Sequence, residues 1–75
     1  MQVGVKLMGL LKDKAPADDK LELNDGATVE DALVALDIPV ESVMAFTVNG
    51  SLVRDRGHQL SEGDNLQVLP PVGGG

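Results

Sequence analysis

Only one segment of this chain carries clear helical periodicity, and that restricts what its apolar runs can build. Val29, Ala32, Leu33 and Leu36 stand at i, i+3, i+4 and i+7, so their side chains share one face of a helix. Thr28 is a suitable N-cap, Glu30 and Asp31 fall in the first turn where the helix dipole favours negative charge, and Ile38-Pro39 marks the end. The spacing predicts a helix over about residues 29–37. A helix this short is stabilised mainly by packing its apolar face. One helix cannot cover both faces of a sheet, so the expected architecture is α+β, a single mixed sheet of four to five strands with the helix across one face.

The apolar runs around the helix supply the strands. Residues 2–10 alternate, with Val3, Val5 and Leu7 on one side and Gln2, Lys6 and Met8 on the other, which reads as a half-buried strand. Residues 11–19 carry charges, an Ala-Pro pair and Asp18-Asp19, and read as a loop. Residues 20–23 alternate again, with Leu21 and Leu23 inward, and Asn24, Asp25 and Gly26 end that strand with turn chemistry. Residues 44–48 have strand propensity, and Asn49-Gly50 signals a tight hairpin into Ser51, Leu52 and Val53. Residues 54–58 read as a polar loop, Gln59-Leu60 as a brief extended piece and Glu62-Gly63-Asp64 as a turn. A last strand covers residues 65–69, with Leu66 and Val68 inward. Residues 1–69 are thus one domain, and residues 70–75 an extended C-terminal tail.

A chain of 75 residues supports one domain. At that length folding buries only about 60% of the unfolded surface. With 43% hydrophobic and 24% charged residues the composition is globular rather than disordered. Phe46 is the only aromatic, which removes the stacking platforms that hold single-stranded nucleic acid, and 12 acidic against 6 basic residues would repel phosphate backbones. Nucleic acid is therefore not an expected partner. A partner with a basic docking surface fits the net charge of −6, which also promotes solubility by itself. The absence of cysteine excludes disulfides and thiolate chemistry. No run approaches the ~20 apolar residues of a membrane span, and the N-terminus lacks a signal-peptide core, so a cytoplasmic protein is expected.

Side-chain catalysis finds no constellation. His58, the only histidine, sits in a polar loop with Asp55, Arg56 and Gly57, without a nucleophile beside it, and reads as an exposed loop residue. Asp18-Asp19 lacks the further oxygen ligands of a calcium loop. Ser42, Ser51 and Ser61 lack a nucleophile-elbow context. No permanently bound cofactor or metal is expected.

The tail is a different matter. Pro70 and Pro71 favour extended geometry, Val72 comes next, and Gly73, Gly74 and Gly75 carry no Cβ to clash with a narrow channel. Six extended residues reach about 20 Å, enough to carry a terminal carboxylate into a partner's buried site. A free α-carboxylate is ionised at neutral pH and a poor electrophile, so it needs activation, typically ATP-dependent adenylation by another protein. Side chains on the last residues would obstruct that approach. An inert glycine end or a cloning remnant is the plain alternative, although a remnant leaves the Pro-Pro-Val unexplained.

The Val48-Asn49-Gly50 hairpin, the Leu60-Ser61-Glu62-Gly63-Asp64 turn, the order of elements and the closing Pro-Pro-Val-Gly-Gly-Gly together resemble the ubiquitin-like sulfur carriers. Within that family the chain is most similar to the small subunit of molybdopterin synthase. The resemblance covers the whole chain and implies a ubiquitin-like β-grasp fold with a flexible tail. It implies that a ubiquitin-activating-enzyme-like adenylyltransferase, using ATP and Mg, converts Gly75 to an acyl adenylate that a sulfur donor turns into a thiocarboxylate. The molybdopterin synthase large subunit, or another sulfur-accepting enzyme, would then receive Pro70, Pro71, Val72, Gly73 and Gly74 in its channel. Leu69 would lie at the docking surface. The chain would be a carrier and cosubstrate rather than an enzyme.

Leu69 and Gly73 stand where the molybdopterin subunits commonly carry an aromatic and a non-glycine small residue. The triple glycine leans toward the thiazole-forming carriers, which usually lack the Pro-Pro neck. The resemblance therefore leaves open delivery to a molybdenum or tungsten cofactor, to thiazole and thiamine, or to another sulfur-transfer pathway, as well as conjugation to lysines through Gly75.

Overall fold

The Asn49-Gly50 pair turns the chain with φ of +53° and +85°, the left-handed geometry of a type I′ hairpin. It joins β3 (Ala45–Val48) to β4 (Ser51–Val53), pairing Val48 with Ser51. In the computed structural model, which describes residues 1–70 with the side chains of Leu10 and Val40 excepted, these strands belong to one five-stranded sheet. The others are β1 (Gln2–Leu7), β2 (Lys20–Glu22) and β5 (Asn65–Leu69), in the order β2-β1-β5-β3-β4. The central pair β1 and β5 is parallel, and the remaining neighbours are antiparallel. The expected mixed sheet is therefore present.

Period-two alternation sets what each face carries. Val3, Val5, Leu7, Phe46, Val48, Leu66 and Val68 are buried and share a core with Val29, Ala32, Leu33 and Leu36 of the helix segment. Helix α1 (Val29–Ala35) lies on that face. A capping box starts it: the Asp31 N–H donates to Thr28 Oγ1 at 3.3 Å, and the Thr28 N–H donates to Asp31 Oδ2 at 2.9 Å. The carbonyls of His58 and Arg56 accept the N–H groups of Val29 and Glu30, both at 3.0 Å. The polar loop after β4 thus caps two more of the helix's unpaired donors.

Two element ends differ from the sequence expectation by two residues or more. Helix α1 stops at Ala35 because a Schellman motif closes it: Ile38 N–H donates to the Leu33 carbonyl at 2.9 Å and Asp37 N–H to the Val34 carbonyl at 3.0 Å, with Asp37 at φ +60°. Strand β1 ends at Leu7 rather than at residue 10, because Gly9, at φ +57°, turns the chain out of the sheet. From there the chain forms a 3₁₀ helix, Gly9–Lys14, where a loop was expected. Leu11 anchors it by inserting into the core. A second short 3₁₀ turn, Val40–Ser42, precedes β3. Sheet clasping helix makes this a β-grasp arrangement.

Candidate functional site

The tail grows from the middle of the sheet. Strand β5 lies between β1 and β3, held by Leu66 and Val68 in the core, and its final carbonyl, on Leu69, accepts the Met44 N–H at 2.9 Å. Pro70 comes next, half-buried, beside Gly9. Of the tail expected from sequence only Pro70 is described; Pro71, Val72, Gly73, Gly74 and Gly75 lie outside the described residues.

At its start β5 is fastened by the two motifs that carried the family resemblance. Asn49 donates from Nδ2 to Asp64 Oδ1 and accepts from the Asn65 N–H at Oδ1, both at 2.9 Å. Asp64 Oδ2 accepts the Ser61 N–H at 2.8 Å, and Asp64 N–H closes the turn onto the Ser61 carbonyl at 3.0 Å. The hairpin and the Leu60-to-Asp64 turn are thus one clamp on β5, at the end remote from the tail. Sequence reading recognised both motifs and missed that they bond to each other.

Among the described residues the face of the sheet opposite α1 is open. Register places Leu69 beside Ala45, and Thr47 between Gln67 and Leu52. Leu52 is 54% exposed, and Met44, next to the tail's root, is 65% exposed. Leu69, expected at a docking surface, is half-buried on this face. A shallow depression of about 680 Å³ crosses it, lined in part by Lys6, Lys12, Asp19, Thr47, Asn65 and Gln67.

Charge is distributed unevenly. Among the described residues Glu22 is the only acid within a strand, and it pairs with Gln2 at the end of β1 farthest from the tail. The acids work elsewhere as local acceptors: Asp18 for the Lys20 N–H, Asp55 for the Gly57 N–H and Glu62 for the Gln2 N–H. The strands themselves are thus nearly free of acid, whereas Asp19 joins Lys6 and Lys12 in lining the depression on the open face.

The remaining candidates settle into structural places. His58 is exposed and engages the fold through its backbone. Asp19 occupies a turn at φ +58°. Ser51 and Ser61 are exposed hairpin and turn residues, and Ser42 sits in the second 3₁₀ turn. Among the described residues no group of three or more His, Cys, Asp or Glu could hold a metal ion, and no helix is long and apolar enough to cross a membrane.

Comparison with known proteins agrees with this geometry. The sequence model of the ThiS family matches residues 5–75. The molybdopterin synthase sulfur carrier subunit of Chlamydomonas reinhardtii is 32% identical over 83 aligned positions, spanning 100% of both chains. SAMP1, small archaeal modifier protein 1 of Haloferax volcanii, superposes with a TM-score of 0.76 at 26% identity, with both chains covered in full. A Pyrococcus furiosus protein assigned as subunit 1 of a molybdopterin converting factor gives 0.73 at 26% identity, over 96% of this chain and 99% of its own.

Proposed function

The chain belongs to the ThiS family and is a homologue of a molybdopterin synthase sulfur carrier subunit, and from that premise we propose that it carries sulfur as a thiocarboxylate on Gly75. The observation that carries the reading is the Pro-Pro-Val-Gly-Gly-Gly run directly after the central strand β5. The sheet holds the root of the tail, and the glycines leave the terminal carboxyl group accessible to a partner's reactants.

The carboxylate oxygen of Gly75 attacks the α-phosphorus of ATP, held with Mg by a ubiquitin-activating-enzyme-like adenylyltransferase, and pyrophosphate leaves. A hydrosulfide-equivalent donor then attacks the acyl carbon and expels AMP, leaving a thiocarboxylate. In the acceptor enzyme the thiocarboxylate sulfur attacks an electrophilic substrate carbon and displaces its oxygen leaving group, and water then cleaves the acyl-sulfur bond, leaving the sulfur on the substrate and returning the Gly75 carboxylate. The carrier supplies no acid or base to these steps. Its contribution is to dock, through the open face bearing Leu69, Leu52 and Ala45, and to present its end.

The 32% identity to a molybdopterin synthase subunit favours that synthase's large subunit as acceptor and molybdopterin as the product; a thiazole-forming acceptor is the alternative. ATP-dependent activation fits a cytoplasmic location. The likeness to a small archaeal modifier protein favours a second use of the same activated end, an isopeptide to a protein lysine. ATP–pyrophosphate exchange with the activating enzyme tests the first step: exchange that persists after one Ala is appended to Gly75 would refute the assignment. Lysines of other proteins that carry, after digestion, a branch of this chain's own C-terminal sequence ending in Gly75 would establish the second use.

A further inference from the structure

Gly9 and Pro70 lie at opposite ends of the sequence and meet at the root of the tail. Parallel pairing brings them together: Leu7 is in register with Val68, so β1 and β5 leave the sheet side by side at the same end. Gly9 adopts φ +57°, and a Cβ built on it would stand 3.1 Å from Cγ of Pro70. Carbon atoms at optimal separation are ~3.5–4.0 Å apart, so any side chain at Gly9 presses on the proline ring. The 3₁₀ helix that Gly9 starts is fixed in turn by the buried Leu11, whose N–H donates to the Met8 carbonyl at 3.1 Å. A fixed backbone thus forms a floor under a half-buried ring whose own φ is locked.

The geometry points to Gly9 as a positioning residue, the seat on which Pro70 rests and which sets the direction in which the reactive tail leaves the domain. The inference rests on the reading of Gly75 as the reacting end. Acyl activation in a narrow site is sensitive to placement, and a misplacement of ~1 Å can lower a rate ~100-fold.

Gly9→Asn separates contact from backbone strain, because Asn tolerates positive φ while still carrying a Cβ. Steady-state activation of Gly75 by its adenylyltransferase is measured for the wild type, Gly9→Asn, Pro70→Ala and the double variant. The expected result is a kcat about tenfold lower for Gly9→Asn with KM unchanged, and less than about a twofold further loss when Gly9→Asn is added to Pro70→Ala. Full kcat in Gly9→Asn, or an equal loss in both backgrounds, overturns the proposal. A structural readout stands apart from activity: wild type should show nuclear Overhauser contacts from Gly9 Hα to Pro70 Hγ, and Gly9→Asn should change the residual dipolar couplings of the Val72 and Gly73 amides. If the wild type is not activated at all, the sulfur-carrier reading fails, while contacts and couplings still decide the seat: contacts together with changed couplings uphold it, and absent contacts or unchanged couplings refute it.

Discussion

Replacing Leu33 by Ala tests the helix-on-sheet packing that holds the domain together. Leu33 is 1% exposed and belongs to the cluster joining α1 to β1, β3 and β5. A buried Leu→Ala change costs about 2–5 kcal/mol, from lost transfer energy and the cavity left behind. A domain of 75 residues has a total stability of about 4–11 kcal/mol at 0.05–0.15 kcal/mol per residue. A loss of about 3 kcal/mol would lower Tm by ~12–24 °C, at ~4–8 °C per kcal/mol for a domain of this size. The control is its neighbour Val34, 73% exposed on the opposite face of the same helix, where Ala should change stability by no more than ~0.5 kcal/mol. With no Trp or Tyr in the chain, far-UV circular dichroism is the natural probe. Equal shifts for the two variants, or a Leu33→Ala melt within about 2 °C of wild type, would refute the burial argument and the assignment of the helix face.

Asn49→Ala and Asp64→Ala should each cost about 1–2 kcal/mol in urea denaturation and be strongly non-additive, because both break one clamp; additive losses would separate hairpin from turn. Thr28→Ala removes half of the capping box and should cost ~1 kcal/mol, with an unchanged melt contradicting the cap. Leu52→Asp should leave the melt near wild type, since Leu52 is half in water already, yet raise the KM for activation several-fold; an unchanged KM would remove the open face from docking.

Much of this fold was legible because its signals are local. Period two exposed β1, β2 and β5, the i, i+3, i+4, i+7 set exposed α1, and Asn49-Gly50 exposed the hairpin. What escaped is non-local or lacks a residue signature. The Schellman closure uses Asp37 at positive φ instead of glycine, so the helix end was placed two residues late. The 3₁₀ helix hides in a charged stretch where Leu11 is turned into the core. At the candidate site, the sequence shows the tail's composition, whereas the Gly9–Pro70 approach exists only once β1 and β5 are paired. A glycine inside an alternating run was the one available hint of it.

Intact mass spectrometry after incubation with the cognate adenylyltransferase, MgATP and a sulfide donor tests the central claim most directly. The account predicts the mass gain of one oxygen-to-sulfur exchange, located on the terminal fragment at Gly75 and lost when one Ala is appended to Gly75 without change in the melt. No such gain in the wild type, or a gain located on another residue, would contradict it.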